Sequence, residues 1–261
     1  MRRIFLLVLM VAGIAAMASG HTLYAEFPLE ISANSEIDVW ITYGHCHGEK
    51  KTPDLSVAQV VTPEGDINEL TLEEYQDGLR GKVDIGKSGC YILNIQKEAT
   101  FFNPKWYGVS GDKELTSNYA RAMMTAESGD SYEWTSGDGL EIVPLIDPYN
   151  LEVGDEFQAK VLWNGELIDG YYNAVVAKTP SDLLTIQHAE ECEVEADSED
   201  GMISFELTMP GLWVVTIFAN SVEESGTWTA TSDHENGYYN QGDKLEYDAI
   251  APTAYLTFWC S

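Results

Sequence analysis

A two-residue alternation of polar and apolar side chains is the feature that most restricts how this chain can fold. Residues 36–43 and 90–95 alternate in this way and are rich in β-branched and aromatic residues. Successive side chains of a strand point to opposite faces, so the alternation is typical of strands with one buried face. Helix signals are scarce, and clusters of turn-forming residues separate the short segments. The pattern predicts an all-β protein.

The second half of the chain has the same pattern with clearer turns. Residues 156–163 alternate as a strand and lead into Asn164-Gly165, a strong hairpin signal because a type I′ turn needs positive φ at both central positions. Residues 117–124 are interpreted as a strand rather than a short helix, and residues 127–139 as an inter-domain connection. We therefore predict two consecutive β-sandwich domains, residues 21–138 and 139–261. Further strands are predicted over 56–62, 81–85, 140–145, 172–177, 202–209, 212–219 and 254–259.

The N-terminal segment, residues 1–20, has the features of a secretory signal peptide. Arg2 and Arg3 give a positive start, residues 4–18 form an apolar run, and Ala18-Ser19-Gly20 supplies small residues for cleavage. The apolar run is shorter than the roughly 20 residues that span a bilayer. We therefore predict a periplasmic or extracellular protein whose mature chain starts at His21 and has no transmembrane segment of its own.

Acidic residues dominate the charge of the chain. It has 43 Asp and Glu against 14 Lys and Arg, and loss of the two leader arginines changes the net charge from −29 to −31. Such a surface repels nucleic acid and anionic lipid, so both are excluded as partners. It attracts cations diffusely, but acidity alone identifies no ligand.

The four cysteines form an even set, which indicates disulfides in an exported protein. Cys46 and Cys90 lie in the first half, and Cys192 and Cys260 lie in the second. The pairs Cys46–Cys90 and Cys192–Cys260 are the natural interpretation, although three connectivities are possible. Cys46 also lies between two histidines, so a thiolate metal ligand is a second interpretation.

Three of the five histidines cluster towards the predicted mature N-terminus. His21 would be the first residue, and its α-amino group and imidazole can together chelate one ion. His45 and His47 flank Cys46 at the end of a strand, where residues two apart share a face. Imidazole ligands suit Ni(II), Cu(II) and Zn(II). The three histidines therefore predict a transition-metal site.

The second half offers two further candidates for this site. Asp233 and His234 lie in a polar, aromatic loop and can add a ligand from the second domain. His188 precedes an acidic stretch and is interpreted as exposed. The sequence has no Gly-x-Ser-x-Gly elbow, no His-Glu-x-x-His motif and no Gly-rich phosphate loop. We therefore predict a binding protein rather than an enzyme.

Several segments of the second half form a set of motifs in a defined order, namely residues 139–148, 154–157, 161–170, 200–205, 210–215 and 254–258. Together with His21 and His45 in the first half, these segments resemble the DUF4198 family. Members of this family are described as periplasmic components of nickel or cobalt uptake systems that work with ABC-type, energy-coupling-factor permeases. The resemblance implies an immunoglobulin-like sandwich followed by a carboxypeptidase-regulatory-like sandwich.

Our main hypothesis is an exported protein that binds Ni(II) or Co(II) and presents the ion to an uptake permease. The ligands would be His21, His45 and His47, with His234 or Asp233 completing the set. Three alternatives stay open: a periplasmic copper carrier, a structural or interaction module of the cell surface with no metal role, and a copper redox enzyme with an N-terminal histidine brace.

Overall fold

The computed structural model of the protein describes residues 21–45, 50–177 and 193–261. The predicted signal peptide lies outside these ranges. Two short 3₁₀-helices, Pro104–Tyr107 and Pro148–Asn150, accompany the strands, and the all-β prediction is confirmed. The strands of the described ranges are β1 His21–Glu26, β2 Ser35–His45, β3 Lys50–Lys51, β4 Leu55–Val61, β5 Ile67–Glu69, β6 Leu72–Tyr75, β7 Gly78–Ile85, β8 Gly89–Phe102, β9 Glu114–Ala126, β10 Leu140–Pro144, β11 Glu156–Trp163, β12 Glu166–Leu167, β13 Gly170–Ala177, β14 Val194–Asp197, β15 Met202–Glu206, β16 Gly211–Ala219, β17 Gly226–Thr229, β18 Lys244–Tyr247 and β19 Ala249–Cys260.

An eight-stranded central sheet runs through both halves of the chain, in the order β14-β13-β16-β19-β9-β8-β4-β5. Its two halves meet where β19 pairs in parallel with β9, from Ala249 opposite Glu114 to Thr257 opposite Ala122. Both strands are buried along most of their length, as expected for strands covered on both faces. The predicted boundary after residue 138 falls between β9 and β10, but the two halves share one sheet instead of forming separate sandwiches in series.

Each face of the central sheet is covered by a smaller sheet. The first covering sheet contains β1, β2, β3, β6 and β7, and the second contains β10, β11, β12 and β15. Alternate residues of one central strand enter different cores: Leu93 of β8 packs under the first covering sheet, and Ile92 packs under the second. The same alternation separates Val214 from Val215 in β16. The fold therefore has three layers of strands and two apolar cores.

Local sequence signals account for several of these elements. Asn164 and Gly165 have φ values of 51° and 84°, and Trp163 pairs with Glu166 across the turn, so the type I′ hairpin is confirmed. Residues 117–124 lie within β9, which confirms their interpretation as a strand. These features depend on neighbouring residues alone, which is why the sequence reveals them.

A third, smaller apolar cluster lies beside the end of β8. Phe101 is buried there with Ala230 and Tyr239, and Trp106 and Trp228 pack against them. The two-stranded sheet of β17 and β18 frames the loop that joins these two strands. This cluster anchors the loop containing Asp233 and His234.

Candidate metal centre at the end of the first covering sheet

The pairing of β1 with β2 places two of the predicted ligand positions opposite each other. His21 is the register partner of His45, followed by Thr22 with Gly44 and Leu23 with Tyr43. Leu23 and Ala25 of β1 are fully buried in the first core. Because a one-residue slip of β1 would turn these side chains out of the core, their burial favours the register in which His21 pairs with His45.

A loop from the second half of the chain reaches the same end of this sheet. Lys51 of β3 is the register partner of Tyr43, and its Nζ lies 3.1 Å from Oε2 of Glu235. Burial, and then the negative charge of Glu235, raises the pKa of the Tyr43 hydroxyl to about 12. Glu235 therefore lies against the end of β2, where His45 is also located, although Glu235 is far from both Tyr43 and His45 in the sequence.

The two ligand candidates of this loop take part in building the loop itself. Nδ1 of His234 accepts a hydrogen bond of 3.0 Å from the backbone N–H of Asn236. A neutral imidazole with Nδ1 as acceptor carries its proton on Nε2, so neither nitrogen offers a lone pair to a metal in this arrangement. Oδ1 of Asp233 accepts a 2.7 Å hydrogen bond from the N–H of Gln241.

Aromatic rings hold the His234 side chain in place. Its ring centroid lies 5.0 Å from those of Tyr238 and Tyr239 and 5.5 Å from that of Trp106. Trp106 and Tyr238 stack on each other at 4.5 Å. The ring packing fixes the loop so that Glu235, the residue after His234, reaches Lys51.

A buried cation also lies near this end of the sheet. Nζ of Lys97 is 5.0 Å from the centroid of the Tyr43 ring. Burial lowers the pKa of Lys97, while the nearby charges of Asp54 and Glu98 act in the opposite direction. The charges around Tyr43 therefore include cations as well as Glu235, and their balance sets the local attraction for a metal ion.

The predicted ligand set is only partly covered by the structure. Cys46 and His47 lie outside the described residues, and so does His188. Within residues 21–45, 50–177 and 193–261, no three His, Cys, Asp or Glu residues are grouped so that they could hold a metal ion. The sequence analysis missed Glu235, whose contact with Lys51 spans 184 positions and depends on the packing of the second half onto the first.

Two of the four cysteines lie within the described residues. Cys90 and Cys260 are both buried in the second core and are not bonded to each other. The pairs Cys46–Cys90 and Cys192–Cys260 stay predictions. Cys46 and Cys192 lie outside the described residues. Burial raises the pKa of both described thiols, that of Cys260 to about 11, which keeps them protonated and packed as small apolar side chains.

None of the helices formed by the described residues is both long enough and apolar enough to cross a bilayer.

Comparisons with known proteins place the chain in a family. A DUF4785 family protein from Legionella pneumophila is 11% identical with a TM-score of 0.26, and the alignment covers 86% of this chain and 54% of that one, about half its length. The D0-D1 domain of Intimin is 10% identical with a TM-score of 0.21, covering 91% of this chain and 97% of that one. No curated protein matches. Residues 18–221 match the family described as Domain of unknown function (DUF4198), which confirms the resemblance, and the chain therefore belongs to that family.

Proposed function

We propose that this protein is an exported carrier that binds a divalent transition-metal ion, Ni(II) or Co(II), and passes it to an uptake permease. The observation that carries the proposal is the pairing of His21 with His45 across β1 and β2. Directly opposed positions of an antiparallel pair are nearest neighbours on one face of the sheet, about 5 Å apart. Two histidines are thus brought together from separate strands.

The chemistry of the N-terminus strengthens this pair. After cleavage before His21, the α-amino group has an ordinary pKa of roughly 7.7–8.0, so it becomes a neutral donor at modest cost. The amine and the imidazole of one residue form a chelate, and His45 adds a second imidazole. His47, which lies outside the described residues, is included in the proposed ligand set as a further imidazole from the sequence pattern. Nitrogen ligands of this kind suit Ni(II), Cu(II) and Zn(II).

The surroundings supply negative charge and access. Glu235 lies beside Tyr43 at this end of the sheet. The side chains of Glu235 and Lys51 are both exposed to solvent. The net charge of −29 raises the concentration of cations near the surface and increases their rate of capture. An exposed position at a sheet end suits transfer to a membrane partner. We therefore add Glu235 to the proposed site as a charged neighbour and remove His234 from the ligand set.

Calorimetric titration with Ni(II), Co(II), Cu(II) and Zn(II) tests the proposal. Protein with an authentic His21 terminus should bind one ion tightly, and one extra residue before His21 should weaken binding by about 100-fold, or roughly 2.7 kcal/mol. His45→Gln should weaken it similarly. His234→Gln is the matched control and should leave the affinity unchanged, because Nδ1 of His234 is occupied by the Asn236 N–H.

Two results would contradict this assignment. Weak metal binding that is equal in the native and extended proteins would rule out the amine chelate and favour the alternative of a structural or interaction module. Tight metal binding that depends on His234 but not on His45 would indicate that the metal site lies in the loop containing Asp233 and His234. Because Cu(II) binds most tightly to almost any such ligand set, the metal content of protein recovered from its own compartment separates a nickel or cobalt carrier from a copper carrier.

A further inference from the structure

A polar cleft of about 230 Å³ lies on the second face of the central sheet, away from the proposed metal centre. Its floor is formed by β4, β8 and β9, and its wall by β10 and the segment before it. The second covering sheet ends at β10, which packs over β9 and β19. On this face, the parts of β4 and β8 next to the cleft are only half-buried. Farther along the same strands, Val61 and Ile92 are buried in the second core.

The floor carries a grid of amide side chains. Gln59, Asn94 and Arg121 are consecutive register partners on β4, β8 and β9, and Gln96 is the partner of Tyr119 in the next row. Neighbouring strands are about 4.8 Å apart, so the amides of adjacent strands are close neighbours. The three amide residues of this grid, Gln59, Asn94 and Gln96, are all half-buried.

The charged groups of the cleft neutralise each other. Arg121 and Glu141 form an ion pair, and their side chains are only 5% and 3% exposed. Oε1 of Glu141 also accepts two hydrogen bonds of 2.8 Å, from the backbone N–H and from the hydroxyl of Ser136. Nη1 of Arg121 donates a 3.1 Å hydrogen bond to the carbonyl oxygen of Trp134. The pair is thus satisfied by the protein and leaves no unpaired cation in the floor to attract an anion.

The amides, in contrast, have unused hydrogen-bonding capacity. Within the described part of the chain, the side chains of Gln59, Asn94 and Gln96 make no hydrogen bond to another residue. Each carboxamide offers two N–H donors and an oxygen with two lone pairs. Three such groups in one concave surface form a neutral array of alternating donors and acceptors.

We propose that this cleft binds a sugar. A hydroxyl group both donates and accepts, so neighbouring hydroxyls of one sugar ring match the array of carboxamides without any charge. An anionic ligand is disfavoured by the paired Arg121, by the exposed Asp138 in the wall and by the acidic protein surface. An apolar ligand would leave the amides unpaired, which costs free energy.

The size of the cleft limits the ligand. Its volume is below the roughly 300–1,000 Å³ of pockets that take drug-sized ligands, so it suits one sugar ring, or the end of a longer glycan. Tyr119 adds an aromatic ring at the edge of the floor, held edge-on against Trp163 at a centroid distance of 6.3 Å. The cleft thus combines the polar groups and the aromatic side chain that a sugar site uses.

Saturation-transfer NMR and calorimetry test this with the methyl glycosides of glucose, galactose, mannose and N-acetylglucosamine, and with triglycine as a non-sugar amide ligand. At least one glycoside should bind in the millimolar range or tighter. Asn94→Ala and Gln96→Ala should each weaken binding by about tenfold, since each removes hydrogen bonds to the ring. The matched control is Asn173→Ala, a half-buried amide of β13 on the opposite face, which should bind as the unchanged protein does.

The outcomes separate the possibilities cleanly. No binding of any glycoside, or equal binding by the Asn94→Ala and unchanged proteins, overturns the proposal, and so does preferential binding of triglycine. Far-ultraviolet circular dichroism and the melting temperature establish that each variant is folded. If Asn94→Ala is not folded, Gln59→Ala at the edge of the floor replaces it. The result is independent of the metal titration because no residue of the cleft belongs to the proposed metal centre.

Discussion

The proposed metal centre and the polar cleft both depend on strand register, yet they use different kinds of residue. The proposed metal centre uses histidines, of which the chain has five. The cleft combines common amides of β4 and β8 with Tyr119 and Arg121 of β9. Rare residues that can bind metal are noticeable in a sequence. Amides become a candidate site only when the register places them side by side in a cleft.

The two sites also differ in how their charges are held. The Lys51–Glu235 pair beside the metal centre is exposed, and such a pair contributes about 0–1 kcal/mol to stability. The Arg121–Glu141 pair in the floor of the cleft is buried and carries additional hydrogen bonds. The first pair is therefore screened by solvent, whereas the second is buried within the fold.

The largest expected effect follows from breaking the buried pair. Glu141→Leu leaves the Arg121 charge buried without its partner and should lower the free energy of unfolding by about 3–5 kcal/mol, measured by urea denaturation. The double variant Arg121→Met/Glu141→Leu should recover much of this loss. Arg80→Met, which removes the solvent-screened Arg80–Glu73 pair, is the control and should lower the free energy of unfolding far less than Glu141→Leu does. Equal losses for Glu141→Leu and Arg80→Met would erase the difference between the two kinds of pair.

An intermediate loss of stability is expected at alkaline pH from Tyr43, which lies at the end of β2 beside the proposed metal centre. The folded-state pKa of Tyr43 is raised from 10.0 to about 12, because burial and Glu235 disfavour the ionised phenol. Its contribution to stability is therefore complete below pH 10 and is lost as the pH rises to about 12, with a slope of up to about 1.4 kcal/mol per pH unit. Tyr43→Phe should show a shallower decline in unfolding free energy between these pH values. An unchanged slope would mean that the Tyr43 phenol ionises equally in both states.

The smallest effect is expected from a change in ionic strength, which allows metal binding and glycoside binding to be compared directly. Raising salt from about 0.01 to 0.15 M shortens the Debye length from about 30 to 8 Å. The association rate of Ni(II) in stopped-flow measurements should then fall several-fold, because the acidic surface no longer attracts the cation at a distance. Glycoside affinity should not change, since the cleft offers neutral amides. A parallel fall in both would show that the cleft also depends on charge.

Features that depend on near neighbours were accessible from the sequence. The two-residue alternation predicted the strands, and Asn164-Gly165 predicted the hairpin because few residues tolerate two successive positive φ values. The parallel pairing of β19 with β9 was not accessible, since many apolar strands could pair and only the packing of both covering sheets selects this partner. An even number of cysteines predicted disulfides, but the burial of Cys90 and Cys260 in the second core is a property of the packed sheets that cysteine count does not reveal.

The candidate site shows the same division at the level of single residues. His21 and His45 were identified by residue type, and the register of β1 on β2 then placed them together. Glu235 was missed because its contact with Lys51 requires the aromatic cluster of the second half to hold the loop in place. The hydrogen bond at Nδ1 of His234, which is our reason for leaving this residue out of the proposed ligand set, is a property of the folded loop that its residue type does not reveal.

The sequence by itself determined the fold class, the hairpin at Asn164-Gly165 and the residues with metal-binding chemistry, because periodicity, backbone preference and side-chain type are local properties. Only the tertiary structure decided that both halves share one sheet, that Glu235 lies beside the end of β2 and that the amides of β4 and β8 line a cleft. Those outcomes depend on which apolar faces bury each other, and that choice is made by the whole chain at once.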